Sequence, residues 1–379
     1  MSARGRSGDY LKNYNNKLVA KLLLDNKYSC IEISREIKLS HTALALIMER
    51  LVQRDLVKVV ENDENFVRRK GGQPIRYTIN NERAMFLCVN LQHGYECFVV
   101  CDLVGNEILR EKLNVGKVSN DVAKDIVIKI KDKLDTFNIR EDKLRMVSVS
   151  ISGQLNIDTG EIIFSSKVDK DVNLKSIFEK AFVDADVQIR NDIEYCCLAS
   201  MLSEEFNYGK DCLLFLYIGI GLSCCLTYNK MIIKNSIGFG GEIGGTRINE
   251  NFTLSNVWGN EDFLGYCKKI TNNPELNMKE ALLLAETNSS CREKLDAQAK
   301  YLAQTISHFT YTVGCAKIIF SGGILIYPTY FFDKVKEYLK MYVGVPGVEY
   351  EFMYTQFVDA LSGQKYLSRD KLIEKIIEE

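Results

Sequence analysis

The stretch SCIEISREIKLSHTALALIMERLVQRDLV, residues 29–57, predicts two short helices joined by a tight turn. Ser29, followed three residues later by Glu32, fits a capping box at the start of the first helix. In the second helix, apolar residues between Leu44 and Leu51 recur on one face. Two helices of this kind, the second starting with small polar residues, are typical of a helix-turn-helix.

A wing with a concentration of cations is predicted after the second helix. Two strands are predicted by alternating apolar and polar residues, LVKVVEN at residues 56–62 and IRYTIN at residues 75–80. The basic stretch RRKGGQPIRY, residues 68–77, begins between these strands and extends into the second one. We expect its cations to meet phosphates, which provide affinity and salt dependence, while the start of the second helix provides sequence choice. A winged helix used for protein contact is the alternative. The predicted DNA contacts are Ser40, His41, Thr42, Arg50, Arg68, Arg69, Lys70, Gln73 and Arg76.

Charge and composition favour a polyanionic partner for the N-terminal part. The formal net charge is -1, yet residues 1–80 hold 15 Lys/Arg against 9 Asp/Glu, and the remainder holds 34 against 41. A basic N-terminal part on an acidic body suggests that the N-terminal part binds nucleic acid. No long apolar run or secretory leader is visible, and the twelve cysteines include no CxxC pair. We therefore expect free thiols and a cytoplasmic location.

The pattern beyond residue 82 is one of strands alternating with helices. Three strands, a helix and a further strand occur first from residue 84 and again from residue 212, and the chain is expected to end in helices. This repetition predicts an α/β fold with two ribonuclease-H-like halves, of the actin and hexokinase type, and a cleft between them. We expect a winged helix-turn-helix domain over 1–82 and a ligand-sensing, oligomerising body over 83–379, with its second lobe beginning near 208.

This order of parts resembles the ROK family (repressors, open reading frames and kinases), in which some members join a winged helix to a sugar-kinase-like body. RNDIEYCCLASMLSEEFNYG (190–209) and NSIGFGGEIGG (235–245) carry the resemblance, which spans essentially the whole chain. The turn GGQP, residues 71–74, is similar to the Gly-Arg-Pro turn of the family's regulators, with Gln73 at the arginine position. The resemblance implies a DNA-binding repressor of carbohydrate metabolism that senses a sugar.

The same resemblance implies a ligand site. Asn191 and Asp192 match the family's Asn-Asp pair, whose aspartate takes a proton from the sugar hydroxyl in the kinases. Glu242 matches the glutamate of a Gly-Glu-x-Gly-His element. Gly153 and Gln154 lie in the segment that matches a Pro-Gly element, in which Ser152 occupies the proline position. We expect Asp192 to contact the ligand rather than to act as a catalyst. The alternative is that it caps the following helix, and one residue can do both.

Other elements of the kinases have changed. The first phosphate loop, Asp-x-Gly-Gly-Thr in the kinases, corresponds to NLQHGYE here, residues 90–96, and the zinc loop corresponds to NVWGNEDFLG, residues 256–265. Without the cysteines of that loop we expect neither zinc nor any other cofactor. Trp258 and Phe263 would either pack there or present an aromatic face to a sugar.

Three alternative functions are compatible with these sequence features. The first is a regulator that is not an enzyme and whose partners are operator DNA and a sugar or sugar-phosphate effector. We expect it to be a homodimer or homotetramer, because symmetric oligomers read paired half-sites. The second is a sugar kinase with a regulatory N-terminus, and the third is a protein-interaction module without a ligand.

Overall fold

The computed structural model describes residues 8–60, 75–202, 211–219, 221–229, 231–233, 241–258 and 263–379. The chain divides into two compact units. The first holds 1–151, 166–190 and 364–379, and the second holds 152–165 and 191–363. None of the helices in these described ranges is long and apolar enough to cross a membrane.

The N-terminal part of the first unit consists of three helices and a small antiparallel sheet. Its elements are α1 Gly8–Asp25, β1 Tyr28–Ser29, α2 Cys30–Ile37, α3 His41–Gln53, β2 Val57–Val59 and β3 Arg76–Ile79, and the strand order is β1-β3-β2. The two helices and the two strands that flank the wing are confirmed. Strand β1 was not predicted, because two residues are too short for alternation to show. The residues of the wing at 68–70 and 73 lie outside the described residues.

The predicted capping box is confirmed at the start of α2. The Ser29 backbone N–H donates to a Glu32 carboxylate oxygen at 2.7 Å, and the Glu32 N–H donates to the Ser29 hydroxyl oxygen at 3.4 Å. Lys38 ends α2 in the left-handed conformation, and the Ser34 hydroxyl donates to the Leu39 carbonyl at 2.8 Å. These local bonds fix the turn that leads into α3.

The remainder of the first unit is built on a five-stranded sheet. Its elements are β4 Met85–Leu91, β5 Cys97–Asp102, β6 Glu107–Lys112, α4 Asn120–Thr136, β7 Leu144–Ile151, α5 Leu174–Ala181 and β10 Asp186–Asn191. The strand order is β10-β7-β4-β5-β6. Strands β4, β5 and β6 form an antiparallel meander, and β7 is parallel to β4. Every residue of β5 is buried, and its first five residues form an apolar run, as expected for a strand covered on both faces.

The second unit repeats that arrangement. Its elements are β8 Gln154–Leu155, β9 Ile162–Phe164, α6 Asp192–Leu202, β11 Cys212–Ile218, β12 Leu222–Tyr228, β13 Met231–Ile232, α7 Leu254–Trp258, α8 Phe263–Thr271, α9 Met278–Thr287, α10 Ser289–Val313, β14 Lys317–Gly322, α11 Thr329–Tyr342 and β15 Glu351–Tyr354. The last helix, α12 Leu361–Glu378, belongs to the first unit from Gln364 onward. The strand order β13-β12-β11-β14-β15 again places a meander beside two parallel strands. The two predicted α/β halves are thereby confirmed.

The predicted C-terminal helices are confirmed as α11 and α12, but a strand between them was missed. Strand β15 lies between α11 and α12 and pairs with β14. It is a four-residue edge strand without a fully buried residue, so it lacks the apolar run that reveals a central strand. Trp258 and Phe263 are 4% and 1% exposed, so both pack in the core. The Trp258 ring meets the edge of Phe331 at 5.9 Å between ring centroids.

Within the first unit, ion pairs join α1 to the C-terminal part of α12. The Lys17 ammonium lies 3.1 Å from Glu374, and the Lys21 ammonium lies 3.1 Å from Asp370. Arg83, just before β4, lies 3.1 Å from the Glu379 carboxylate. The first helix of the winged-helix part is therefore attached by charge to a helix that the sequence places at the opposite end of the chain.

Candidate ligand site and DNA-binding surface

A turn of the second unit brings a hydroxyl to the first residue of α6. Ser152 lies directly after β7, and its hydroxyl donates to Asp192 Oδ2 at 2.5 Å. The backbone N–H of Ile193 donates to Asp192 Oδ1 at 2.9 Å. The Ser152 carbonyl in turn accepts a bond of 2.6 Å from the Ser165 hydroxyl. The position of the carboxylate is therefore fixed by a serine forty positions earlier in the sequence and by the backbone of the next residue.

The Asp192 carboxyl lies in a poorly hydrated environment. Asp192 is only 4% exposed, and this burial raises the pKa of its carboxyl group to about 7. The hydrogen bond from Ser152 acts against this rise, whereas the negative charge of Glu242 adds to it. A carboxyl with this pKa exchanges its proton near neutral pH.

The neighbouring residue, Asn191, ends β10 and holds the same turn. Its amide nitrogen donates to the Gly153 carbonyl at 2.7 Å, while its Oδ1 accepts from the Ile193 N–H at 2.8 Å. Gly153 has φ of +144°, and a Cβ there would lie 2.4 Å from the Phe164 carbonyl oxygen. Only glycine allows the turn to lie this close to β9.

Glu242 completes the group of predicted ligand residues. Gln154, the first residue of β8, is buried, and its side chain hydrogen-bonds Glu242. Burial raises the pKa of Glu242, and the bond from Gln154 partly offsets the rise. The segment is positioned by Gly241, whose carbonyl accepts from the Cys224 N–H at 2.7 Å. A Cβ at position 241 would lie 1.8 Å from the Cys224 carbonyl oxygen, so this glycine is sterically required.

The structure thus links all five predicted ligand residues through one short turn. Ser152, Gly153 and Gln154 each bond a different partner, namely Asp192, Asn191 and Glu242. Sequence reasoning did not select Ser152, although it placed that residue at the family's proline position. The signal was available, since a serine at a position where a proline is expected supplies a hydroxyl. Two carboxylates with raised pKa values are good acceptors for ligand hydroxyl groups.

The predicted DNA contacts at the start of α3 are exposed. Ser40 caps the helix, because its hydroxyl oxygen accepts from the Ala43 N–H at 3.2 Å. His41 and Thr42 follow and are exposed to solvent. Leu44, Ile47, Met48 and Leu51 point into the core of the same part. The helix therefore turns its polar first turn outward.

Two of the predicted cationic contacts already have protein partners. Arg50 is half-buried, and its guanidinium donates to Asn16 Oδ1 at 3.3 Å. The Arg76 guanidinium lies 2.8 Å from a Glu32 carboxylate oxygen and donates to the Lys27 carbonyl at 2.9 Å. These bonds give both arginines a role in holding the winged-helix part together, which the sequence pattern did not indicate.

Residues 89–365 match the sequence model of the ROK family, well over half of the 379 residues. The chain belongs to the ROK family. A xylose repressor from Caldicellulosiruptor bescii is 24% identical over 247 residues, which are 63% of this chain and 60% of that repressor. The match therefore spans less than two thirds of the length of that relative.

Two solved structures have the same fold as this ROK protein. One is a ROK family transcriptional regulator, a homolog of the E. coli MLC protein, with a TM-score of 0.77 at 18% identity over 97% of this chain and 100% of that one. The other is the ROK hexokinase from Thermus thermophilus, with a TM-score of 0.59 at 15% identity over 76% of this chain and 98% of that one. Regulators and kinases of the family thus share the α/β body found here.

In the loop at residues 90–96, which corresponds to the first phosphate loop of the kinases, polar side chains already bond other protein groups. Asn90 is 1% exposed, and its Oδ1 accepts from the Ser150 hydroxyl at 2.7 Å and from the Gln92 N–H at 3.0 Å. At the other end of the loop, Glu96 lies 2.5 Å from the ammonium of Lys167, which is 2% exposed. Within the described residues, no three His, Cys, Asp or Glu side chains come together as metal ligands.

Proposed function

We propose that this ROK protein is a sequence-specific DNA-binding transcriptional repressor that responds to a sugar or sugar derivative. The observation that carries the proposal is a helix-turn-helix with an exposed, capped second helix, placed ahead of a ROK body. The relative named as a xylose repressor supports the same function and makes pentoses the first effectors to test. We assign DNA binding to residues 1–82 and effector binding and oligomer formation to residues 83–379, in a protein that acts in the cytoplasm.

Binding of the full chain to the DNA upstream of its own coding sequence tests the first half of the proposal. The affinity for DNA should fall steeply between low and moderate salt concentration. The reason is that protein cations displace the counterions bound to the DNA phosphates, and added salt opposes this release. Replacing Arg68 and Arg69 by alanine should weaken binding to every duplex and flatten the salt slope. Replacing His41 or Thr42 by alanine should change the preferred sequence instead. An affinity that does not depend on salt would exclude this interpretation.

We also propose that the protein reads paired half-sites as a homodimer or homotetramer. Each copy would supply one capped α3 to one half-site, since a single winged helix rarely provides enough affinity alone. Light scattering during gel filtration gives the mass of the free protein and of the complex. A monomer that binds DNA with one copy per site would contradict this part of the proposal.

The effector site is proposed at the turn that holds Asp192 and Glu242. A polyhydroxylated ligand supplies donors to both carboxylates, so its binding relieves the cost of burying them. The Asp192→Ala and Glu242→Ala variants should bind operator like the wild type and should not respond to the effector. In the wild type, the effector should change operator affinity about 5- to 150-fold, which is the usual range of allosteric coupling. Variants that respond like the wild type would place the ligand elsewhere.

A sugar kinase is the second candidate, because the ROK hexokinase shares the fold and a carboxyl with a pKa of about 7 suits a general base. We propose that the chain is not an enzyme, since Asn90 and the Glu96–Lys167 ion pair occupy the loop that corresponds to the first phosphate loop. Turnover of ATP measured over a panel of sugars decides between the two. Activity that is abolished in Asp192→Asn would establish the kinase.

A further inference from the structure

Two apolar side chains occupy the middle of the exposed side of α3. Ala45 is exposed, and Leu46 is 53% exposed, although the helix buries its other leucines. Thr42 and Glu49, which precede and follow this pair on the same side of the helix, are also exposed. Residues three and four positions apart are neighbours on a helical surface, so these four side chains form one continuous strip.

Cations lie at the end of this strip where α3 begins. Arg35, in the last turn of α2, is exposed, and so is Lys38, which ends α2 two residues before the Ser40 cap. A single exposed leucine is ordinary on a protein surface. An apolar pair in the centre of a strip with cations at one end is suited to a surface that carries phosphates at its border and apolar groups within it.

We propose that Ala45 and Leu46 are specificity-determining residues that contact thymine methyl groups in the major groove. The inference rests on the proposed DNA-binding function. Among the four bases, only thymine presents a methyl group in the major groove, and apolar side chains recognise it by excluding water. Each half-site should therefore carry thymines at the positions that face the middle of α3, where Leu46 provides the larger contact surface.

The test begins with a library of duplexes that have a random central segment, from which the full chain selects its preferred sequence. Each thymidine of that sequence is then replaced by deoxyuridine, which removes only the methyl group, and affinity is measured by fluorescence anisotropy at constant salt. The wild type should lose about fourfold in affinity at one or two positions of each half-site, as expected for one buried methyl group. The Leu46→Ala variant should bind more weakly and should no longer distinguish the two bases there.

Val52→Ala is the matched control. Val52 is another exposed apolar residue of α3, at 42%, but it lies six positions after Leu46, about 9 Å further along the helix axis and next to the last residue of the helix. Val52→Ala should keep the wild-type pattern of deoxyuridine effects. The proposal is overturned if deoxyuridine has no effect at any position, if Leu46→Ala retains the same losses as the wild type, or if Leu46→Ala changes only the mass of the oligomer. Failure of the proposed function gives a different result, because no sequence is then enriched from the library.

Discussion

Replacing the buried Asp192 carboxyl by its neutral isostere should stabilise the free protein increasingly as the pH rises. The native pKa is about 7, compared with 3.8 for the unconstrained group. Between these two values the native state holds a proton that the unfolded state has released, so the wild type loses stability as the pH increases through this window. Above the native pKa the full cost is present, at most about 4 kcal/mol for a shift of roughly three pKa units.

Asp192→Asn removes this cost, because its amide oxygen can accept from the Ile193 N–H while its amide nitrogen donates to the Ser152 hydroxyl oxygen, which reverses that hydrogen bond. Its advantage over the wild type in free energy of unfolding should therefore grow by about 2 kcal/mol between about pH 5.5 and about pH 8.5. Glu242 and the buried Cys196 thiol are the other titratable groups that interact with Asp192, and both remain in the variant. Urea denaturation of the two proteins at both pH values gives the difference.

Asp333→Asn, which changes an exposed aspartate of α11 in the same unit, is the control. Its free energy of unfolding should stay within about 0.5 kcal/mol of the wild type at both pH values, as is usual for surface substitutions. If Asp192→Asn has no advantage at high pH, or one that does not grow with pH, Asp192 is hydrated in solution. The reasoning that burial leaves the carboxylate poorly solvated, so that ligand hydroxyl groups stabilise it, would then be refuted.

Three further substitutions test other parts of the structure. Gly153→Ala should destabilise the second unit by about 1–3 kcal/mol in thermal unfolding, because its Cβ meets a backbone oxygen at 2.4 Å, whereas Gly116→Ala, with open space around it, should not. Lys167→Met should cost about 3–5 kcal/mol by leaving Glu96 without its buried partner, and a neutral result in urea denaturation would contradict the ion pair. Asp370→Asn should cost less than about 1 kcal/mol, and the difference should vanish in high salt, because its pair with α1 is partly exposed.

Local patterns were sufficient to predict most of the elements of this chain. The capping box at Ser29 and Glu32 and the apolar face of α3 depend on neighbours within four residues, so the sequence displays them directly. Strands of the central meanders are buried and read as apolar runs. The two-residue β1 and the edge strand β15 were missed, because their existence depends on partners such as β3 and β14 that lie far away in sequence.

The candidate site shows the same division between local and long-range information. The resemblance to the ROK family selected Asn191, Asp192 and Glu242 one by one, but it could not show that the turn beginning at Ser152 contacts all three. The residues of that turn lie 38 to 88 positions before their partners in the sequence. The turn's close approach to β9 requires the glycine at position 153.

The sequence by itself determined the order of the elements, the repeated α/β halves and the winged-helix part, since hydrophobic periodicity is a short-range property. Only the tertiary structure decided which polar side chains already have hydrogen-bond partners within the protein. Arg50 and Arg76 appear in the sequence as cations available to DNA, yet they bond Asn16 and Glu32 across separations of 34 and 44 residues. The pKa of Asp192 was equally invisible in the sequence. The physical reason is that burial and hydrogen-bond pairing depend on which distant segments pack together, and residue spacing does not encode this directly.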